Sequence, residues 1–143
     1  MLRYSPPKRT LGPRAQANQK ARRETWPAVL RRAGYRCEMC QSREQLFWAH
    51  CVGSPATGLR LGEIANSEAL TCALCRDCHD ALDRRRPRTD EDEFRVYTLL
   101  REALERLESM VGGKIVNRHE NEQQVRWCIR ETAARLGEPS HAH

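Results

Sequence analysis

The sequence predicts a small α+β fold, with a short strand-bearing unit preceded by one helix and followed by two more. Three observations carry this reading. Two Cys-x-x-Cys pairs, Cys37/Cys40 and Cys75/Cys78, bracket a stretch that contains a run of strand formers, residues 46–52. Apolar residues recur at helical spacing on both sides of that stretch. Hydrophobic residues make up 39% of the 143 positions and aromatics only 6%, too little for a large core, so a domain of this kind needs a staple. Four thiolates in two short pairs suit tetrahedral zinc. Such binding is worth about 10–16 kcal/mol near neutral pH, more than the net stability of a typical domain. The zinc site is therefore expected to decide the fold.

Seven cysteines could instead form disulfides. The odd count, the Cys-x-x-Cys spacing and the lack of a signal-peptide pattern favour reduced thiols in a cytoplasmic setting. Cys72/Cys75 is also a Cys-x-x-Cys pair, and Cys51 lies nearby. Cys72 reads most simply as a buried thiol and Cys51 as a strand residue. No apolar run approaches the roughly 20 residues a membrane span needs, so no membrane partner is expected.

The formal charge is +6, and its placement matters more than its size. Residues 1–23 include Arg3, Lys8, Arg9, Arg14, Lys20, Arg22 and Arg23 and no acid. A second cluster, Arg84, Arg85, Arg86 and Arg88, follows the last Cys-x-x-Cys pair. Such clusters attract phosphate backbones without reading sequence, which makes DNA the expected partner. The plain alternative is a solubilising tail and a solvated helix end.

In chain order, residues 1–23 read as a disordered basic arm, because Pro6, Pro7, Gly12 and Pro13 stand among polar residues. A helix is expected from Ala21 to Ala33, with Pro27 either in its first turn behind a Thr25 cap or inside a helix begun earlier. Gly34 ends it. Trp26 and Leu30 are expected against the zinc unit, which spans 24–88. Residues 53–67 read as a loop with a short return strand at 59–61, and 68–74 as a helical turn. A helix from Cys75 is expected to stop at Pro87. The stretch 89–138 reads as a helical hairpin. Thr89-x-x-Asp92 is a capping box, and Phe94, Tyr97, Leu100, Leu104, Leu107 and Val111 form the apolar stripe that follows. Gly112-Gly113 breaks it, and Asn117-x-x-Glu120 opens a last helix with Val125, Cys128, Ile129, Thr132 and Leu136 on one face. Residues 139–143 are a tail.

The run Gly34-Tyr35-Arg36-Cys37-x-x-Cys40, then Leu46-x-x-x-His50, then Leu74-Cys75-x-x-Cys78-His79 resembles the zinc-containing branch of the HNH nucleases. The likeness covers roughly residues 26–84. It implies a ββα-metal unit in which Cys37, Cys40, Cys75 and Cys78 hold a structural zinc. His50 would be the general base that takes a proton from water. His79 and Asp83 would hold a catalytic Mg2+ or Mn2+. The residue before the base is Asp or His in most of that family and is Ala49 here; Asp80 and Asp83 are the nearest substitute ligands. The family's middle asparagine is displaced in this chain, and Asn66 is the nearest candidate to orient His50.

The implied activity is metal-dependent hydrolysis of DNA phosphodiester bonds. Lys8, Arg9, Arg14, Lys20, Arg22, Arg23 and the Arg84–Arg88 cluster would hold the backbone. Ala49 and the displaced asparagine motivate an alternative, a degenerate zinc module that binds DNA or a nucleic-acid enzyme without cutting. A third expectation is docking through the C-terminal helices, onto a second copy or a protein partner. Plainer roles remain open for single residues: His79 as a group beside the zinc cysteines, Asp83 as a partner of nearby arginines, Asn66 as a helix cap.

Overall fold

The computed structural model describes residues 12–52, 61–110 and 118–137. Among these there are four α-helices and one two-stranded antiparallel sheet. Helix α1 spans Pro13–Ala33, strand β1 Leu46–His50, strand β2 Thr71–Cys75, helix α2 Arg76–Leu82, helix α3 Asp90–Ser109 and helix α4 Arg118–Gly137. Two 3-10 turns, Gly62–Asn66 and Glu68–Leu70, lead into β2. No helix among the described residues is long and apolar enough to cross a membrane.

Helix α1 starts at Pro13, so the stretch expected as a disordered arm up to residue 23 is helical from there on. Ala, Gln, Lys and Arg are strong helix formers, and Pro13 occupies the first turn, where a missing N–H costs nothing. Lys8 and Arg9 lie outside the described residues. Thr25 is not a cap; its hydroxyl donates to the Ala21 carbonyl at 2.7 Å inside the helix. Pro27 therefore sits in a helix begun earlier. At the far end Gly34 and Tyr35 both take left-handed φ, 64° and 57°, which turns the chain sharply into the first cysteine pair.

The helical turn expected over 68–74 is present only as the 3-10 turn Glu68–Leu70; strand β2 takes the place of the rest. Its partners run from Leu46↔Cys75 to His50↔Thr71. Thr-Cys-Ala-Leu-Cys has little intrinsic strand preference, yet all five residues are buried. The strand exists because both its edges are used. One pairs with β1; on the other, Glu38 N–H donates to the Ala73 carbonyl at 2.9 Å and Ala73 N–H donates to the Glu38 carboxylate at 2.8 Å. Of the return strand expected at 59–61, only Leu61 is described, and it is not in a strand.

Arg32 fixes this arrangement. Its guanidinium donates to both oxygens of Glu38 at 3.0 and 3.1 Å, to the Glu68 carbonyl at 2.7 Å and to the Thr71 carbonyl at 2.6 Å. One side chain thus ties the end of α1 to the first cysteine pair and to the start of β2.

Helix α3 opens with the expected capping box, Thr89 and Asp92 exchanging bonds of 3.1 and 2.9 Å. The apolar stripe has the expected period, and Leu100, Leu104 and Leu107 are buried as expected, with Tyr97 partly buried against the core; Val111 lies outside the described residues. Val96, Leu99, Leu100, Ala103, Leu104 and Leu107 are buried, whereas Phe94 is 62% exposed. Helix α4 packs along α3 and buries Val125, Cys128, Ile129 and Thr132. Both helices share one apolar core with the cysteine-bearing unit, and Arg106 of α3 donates to the Ala69 carbonyl at 3.1 Å. Residues 112, 113 and 117, expected to break α3 and cap α4, lie outside the described residues.

The Arg32 network gives a direct expectation. Arg32→Ala leaves the Glu38 carboxylate, 9% exposed, without its cation, and breaking such a pair costs about 3 kcal/mol. Urea denaturation in excess zinc should show that loss. Arg32→Lys should recover little of it, because an ammonium cannot fork across a carboxylate and two carbonyls. A loss well under about 1 kcal/mol in Arg32→Ala would contradict the role given to this side chain.

Candidate active site

The hairpin sorts its functional residues to two ends. Cys75 closes β2 at the Leu46 end, while His50 closes β1 opposite Thr71. Along a five-residue strand these ends lie about 13 Å apart. His50 is therefore not a partner of the cysteine cluster.

At the first end, the sulfurs of Cys37, Cys40, Cys75 and Cys78 all lie within 4.8 Å of one another. Cys40 and Cys75 Sγ are 3.7 Å apart. A tetrahedron with metal–sulfur bonds of about 2.3 Å has edges of about 3.8 Å, so the spacing fits zinc. Among the described residues this is the only group of three or more His, Cys, Asp and Glu side chains close enough to share an ion. The first pair forms a tight knuckle: Cys40 N–H points at the Cys37 sulfur at 3.5 Å, and Gln41 N–H donates to the Cys37 carbonyl at 2.9 Å. Cys75 caps the start of α2, which places Cys78 in its first turn. The Cys78 thiol donates to Cys37, and with backbone donors this holds the Cys37 thiol down to about 4. Cys72 and Cys51 stand apart as a buried neighbouring pair. Cys72 Sγ reaches the Ala49 carbonyl at 3.6 Å, so neither joins the four-sulfur set.

At the other end, His50 is half-buried. Its Nε2 lies 2.6 Å from Asn66 Oδ1. The Asn66 amide is oriented in turn, since its Nδ2 donates to Asn18 Oδ1 on α1 at 3.0 Å. With the Asn66 carbonyl facing it, Nε2 carries the imidazole proton and Nδ1 keeps the lone pair. Trp48, two residues earlier on the same strand face, backs the ring in an edge-to-face contact at 4.8 Å between centroids. Asn66 thus reaches His50 through the 3-10 turn Gly62–Asn66.

Helix α2 returns from the sulfur cluster. His79 Nε2 and Asp83 Oδ2 are 3.0 Å apart, one turn from each other. The His79 hydrogen bond holds the Asp83 carboxyl below its usual range, with Arg85 and His50 adding attraction. His50 and Asp83 line one cavity. An imidazole beside a carboxylate offers two donors, and Mg2+ needs only one or two protein ligands when phosphate and water supply the rest. Ala49 offers none: it is 1% exposed and pairs with Cys72, on the opposite face of β1 from His50.

The arginine cluster divides. Arg84 and Arg85 are exposed. Arg86 and Arg88, expected on phosphates, are taken up internally. Arg86 binds Asp92 at 2.7 Å and Asp77 at 2.9 Å, and this holds the Asp92 carboxyl down to about 2. Arg88, 8% exposed, donates to the Ala81 and Leu82 carbonyls at 2.7 Å and to Glu93 at 3.3 Å; it closes the C-terminal end of α2. On α1, Arg14, Arg22 and Arg23 are exposed, and Lys20 lies 4.0 Å from Glu24. Arg14, Asn18 and Arg22 follow at i, i+4 and i+8, so two cations flank the side chain that holds Asn66. Asn18 and Trp48 were not singled out from the sequence for this site, because nothing local marks either of them.

No family model, curated protein or solved structure matches this chain.

Metal removal tests the cluster. A two-stranded hairpin is marginal by itself, so a strong chelator should abolish the cooperative thermal transition, and added zinc should restore it. Cys78→Ser should behave like the chelated protein in the same melt. An unchanged transition in the chelated protein would mean that the sulfurs need no ion.

Proposed function

We propose that this protein is an HNH-type, metal-dependent DNA endonuclease, with His50 as the general base of phosphodiester hydrolysis. The observation that carries the reading is the Asn18–Asn66–His50 chain of contacts at 3.0 and 2.6 Å. A surface histidine needs no such support; a base that must present one nitrogen to a water does. In this reading Nδ1 of His50 takes a proton from water. The water oxygen bonds to phosphorus, the opposite P–O ester bond breaks, and the leaving oxygen takes a proton from solvent. Asn66 holds the ring and stabilises the imidazolium by accepting from Nε2. Arg14, Arg22, Arg84 and Arg85 meet the flanking phosphates. A divalent ion at His79 and Asp83 would supply charge neutralisation at the phosphate and the leaving oxygen. The four-cysteine zinc would be structural.

Ala49 supports a second reading. It removes one ligand found in most of the HNH family, and its burial leaves no room for a substitute at that position. The chain would then bind DNA without cutting it.

Supercoiled plasmid in Mg2+ or Mn2+ distinguishes the two. The zinc-loaded protein should nick it. His50→Ala should slow nicking by at least about 100-fold, in the range for loss of a general base. Asn66→Ala should cost about tenfold, and Asn18→Ala less, because each acts by orienting the ring. Equal nicking by the wild type and His50→Ala would remove His50 as the base. Salt-sensitive DNA binding with no nicking in any divalent ion would establish the second reading.

A further inference from the structure

A cavity of about 120 Å³ opens beside His50 and Asp83. Its floor is apolar, from Val52, Leu82, Val96 and Leu100, and Trp127 of α4 stands at its edge. Trp127 is 42% exposed although it is a large aromatic. An enclosed apolar cavity of about 150 Å³ accepts a benzene ring, so this space is sized for a single six-membered ring. Arg84, exposed and also in the lining, supplies positive charge beside the cavity, as do Arg88 and Arg135, against Asp83 and Glu131.

We infer that this cavity takes an unpaired pyrimidine base of the nucleic-acid strand, stacked on Trp127, next to the phosphate presented to His50. The inference rests on the nuclease reading and names its substrate class as single-stranded or locally unpaired DNA. A base inside a duplex cannot leave its stack without a cost of a few kcal/mol. An unpaired base enters freely and gains stacking on the indole. The C-terminal helices thereby become part of the substrate site, because α4 contributes the stacking wall and α3 the floor.

Binding can be read without cleavage. The probe is a thymidine octamer, dT8, titrated into zinc-loaded His50→Ala protein and followed by tryptophan fluorescence and by anisotropy of a labelled strand. The octamer should quench fluorescence, and Trp127→Phe should remove most of the quench while keeping most of the affinity. Trp127→Ala should weaken dT8 binding about tenfold, within the range for one base on one aromatic side chain. That loss should vanish on an abasic octamer of equal charge. The exposure of Trp127 makes the variant compatible with folding, and an unchanged melting temperature checks this. Equal dT8 affinity in Trp127→Ala, a quench that survives Trp127→Phe, an equal loss on the abasic strand, or no octamer binding at all would each overturn the pocket. The two readings fail separately. Plasmid nicking without Trp127-dependent binding removes the pocket alone, while Trp127-dependent binding without nicking removes hydrolysis and keeps the pocket.

Discussion

Two cysteine pairs separated by more than thirty residues of sequence converge at one end of a two-stranded hairpin, and the other parts of the structure take their positions from that convergence. The pairs are brought together by polar contacts as well as by the sulfurs. Glu38, between Cys37 and Cys40, pairs with the free edge of β2 at Ala73. Arg32 holds Glu38 and the carbonyls of Glu68 and Thr71. The first knuckle is thereby docked on the strand that ends in the second. An ion bound there would lock an arrangement already aligned, which would let a small unit with a five-residue strand pair hold its shape.

The distance from the clamp to His50 explains the division of labour. One end of the hairpin is closed and sulfur-rich. The other is half-open, and three separate elements deliver groups to it. Helix α1 brings Asn18, the 3-10 turn brings Asn66, and α2 carries His79 and Asp83 back from the sulfur cluster. Helices α3 and α4 pack into the same core instead of projecting from it, so their surfaces border the His50 cavity. Arg88 and Arg86 secure the joint between α2 and α3, which keeps Asp83 at the cavity wall.

The sequence made the clamp legible because ligand spacing is a local property: Cys-x-x-Cys reads the same in any context. The capping box at Thr89 and the 3.6-residue period of α3 were legible for the same reason. Where the buried face begins was not. Phe94 looked like a core position, but the buried face is set by where α4 and Ala69 lie against the helix. Strand β2 was hidden because Thr71–Cys75 owes its extended form to pairing on two edges with residues far away in sequence. The early start of α1 was hidden by composition, since a polar stretch of good helix formers gives no apolar stripe. Among the arginines, sign alone could not separate Arg84 and Arg85, which face solvent, from Arg86 and Arg88, which are held by acids and helix-end carbonyls. Asn66 could be nominated from the sequence, but its reach to His50 depends on a turn and on Asn18, neither of which spacing reveals.

The claim beneath all of this is that a single ion bound by four sulfurs holds the hairpin and leaves every histidine free for other work. X-ray absorption at the zinc edge of the purified full chain measures that set of ligands directly. Four sulfur scatterers at about 2.3 Å and no nitrogen are the result this account predicts. A mixed shell with one or more imidazole nitrogens would contradict it, because His50 or His79 would then belong to the clamp and not to the cavity.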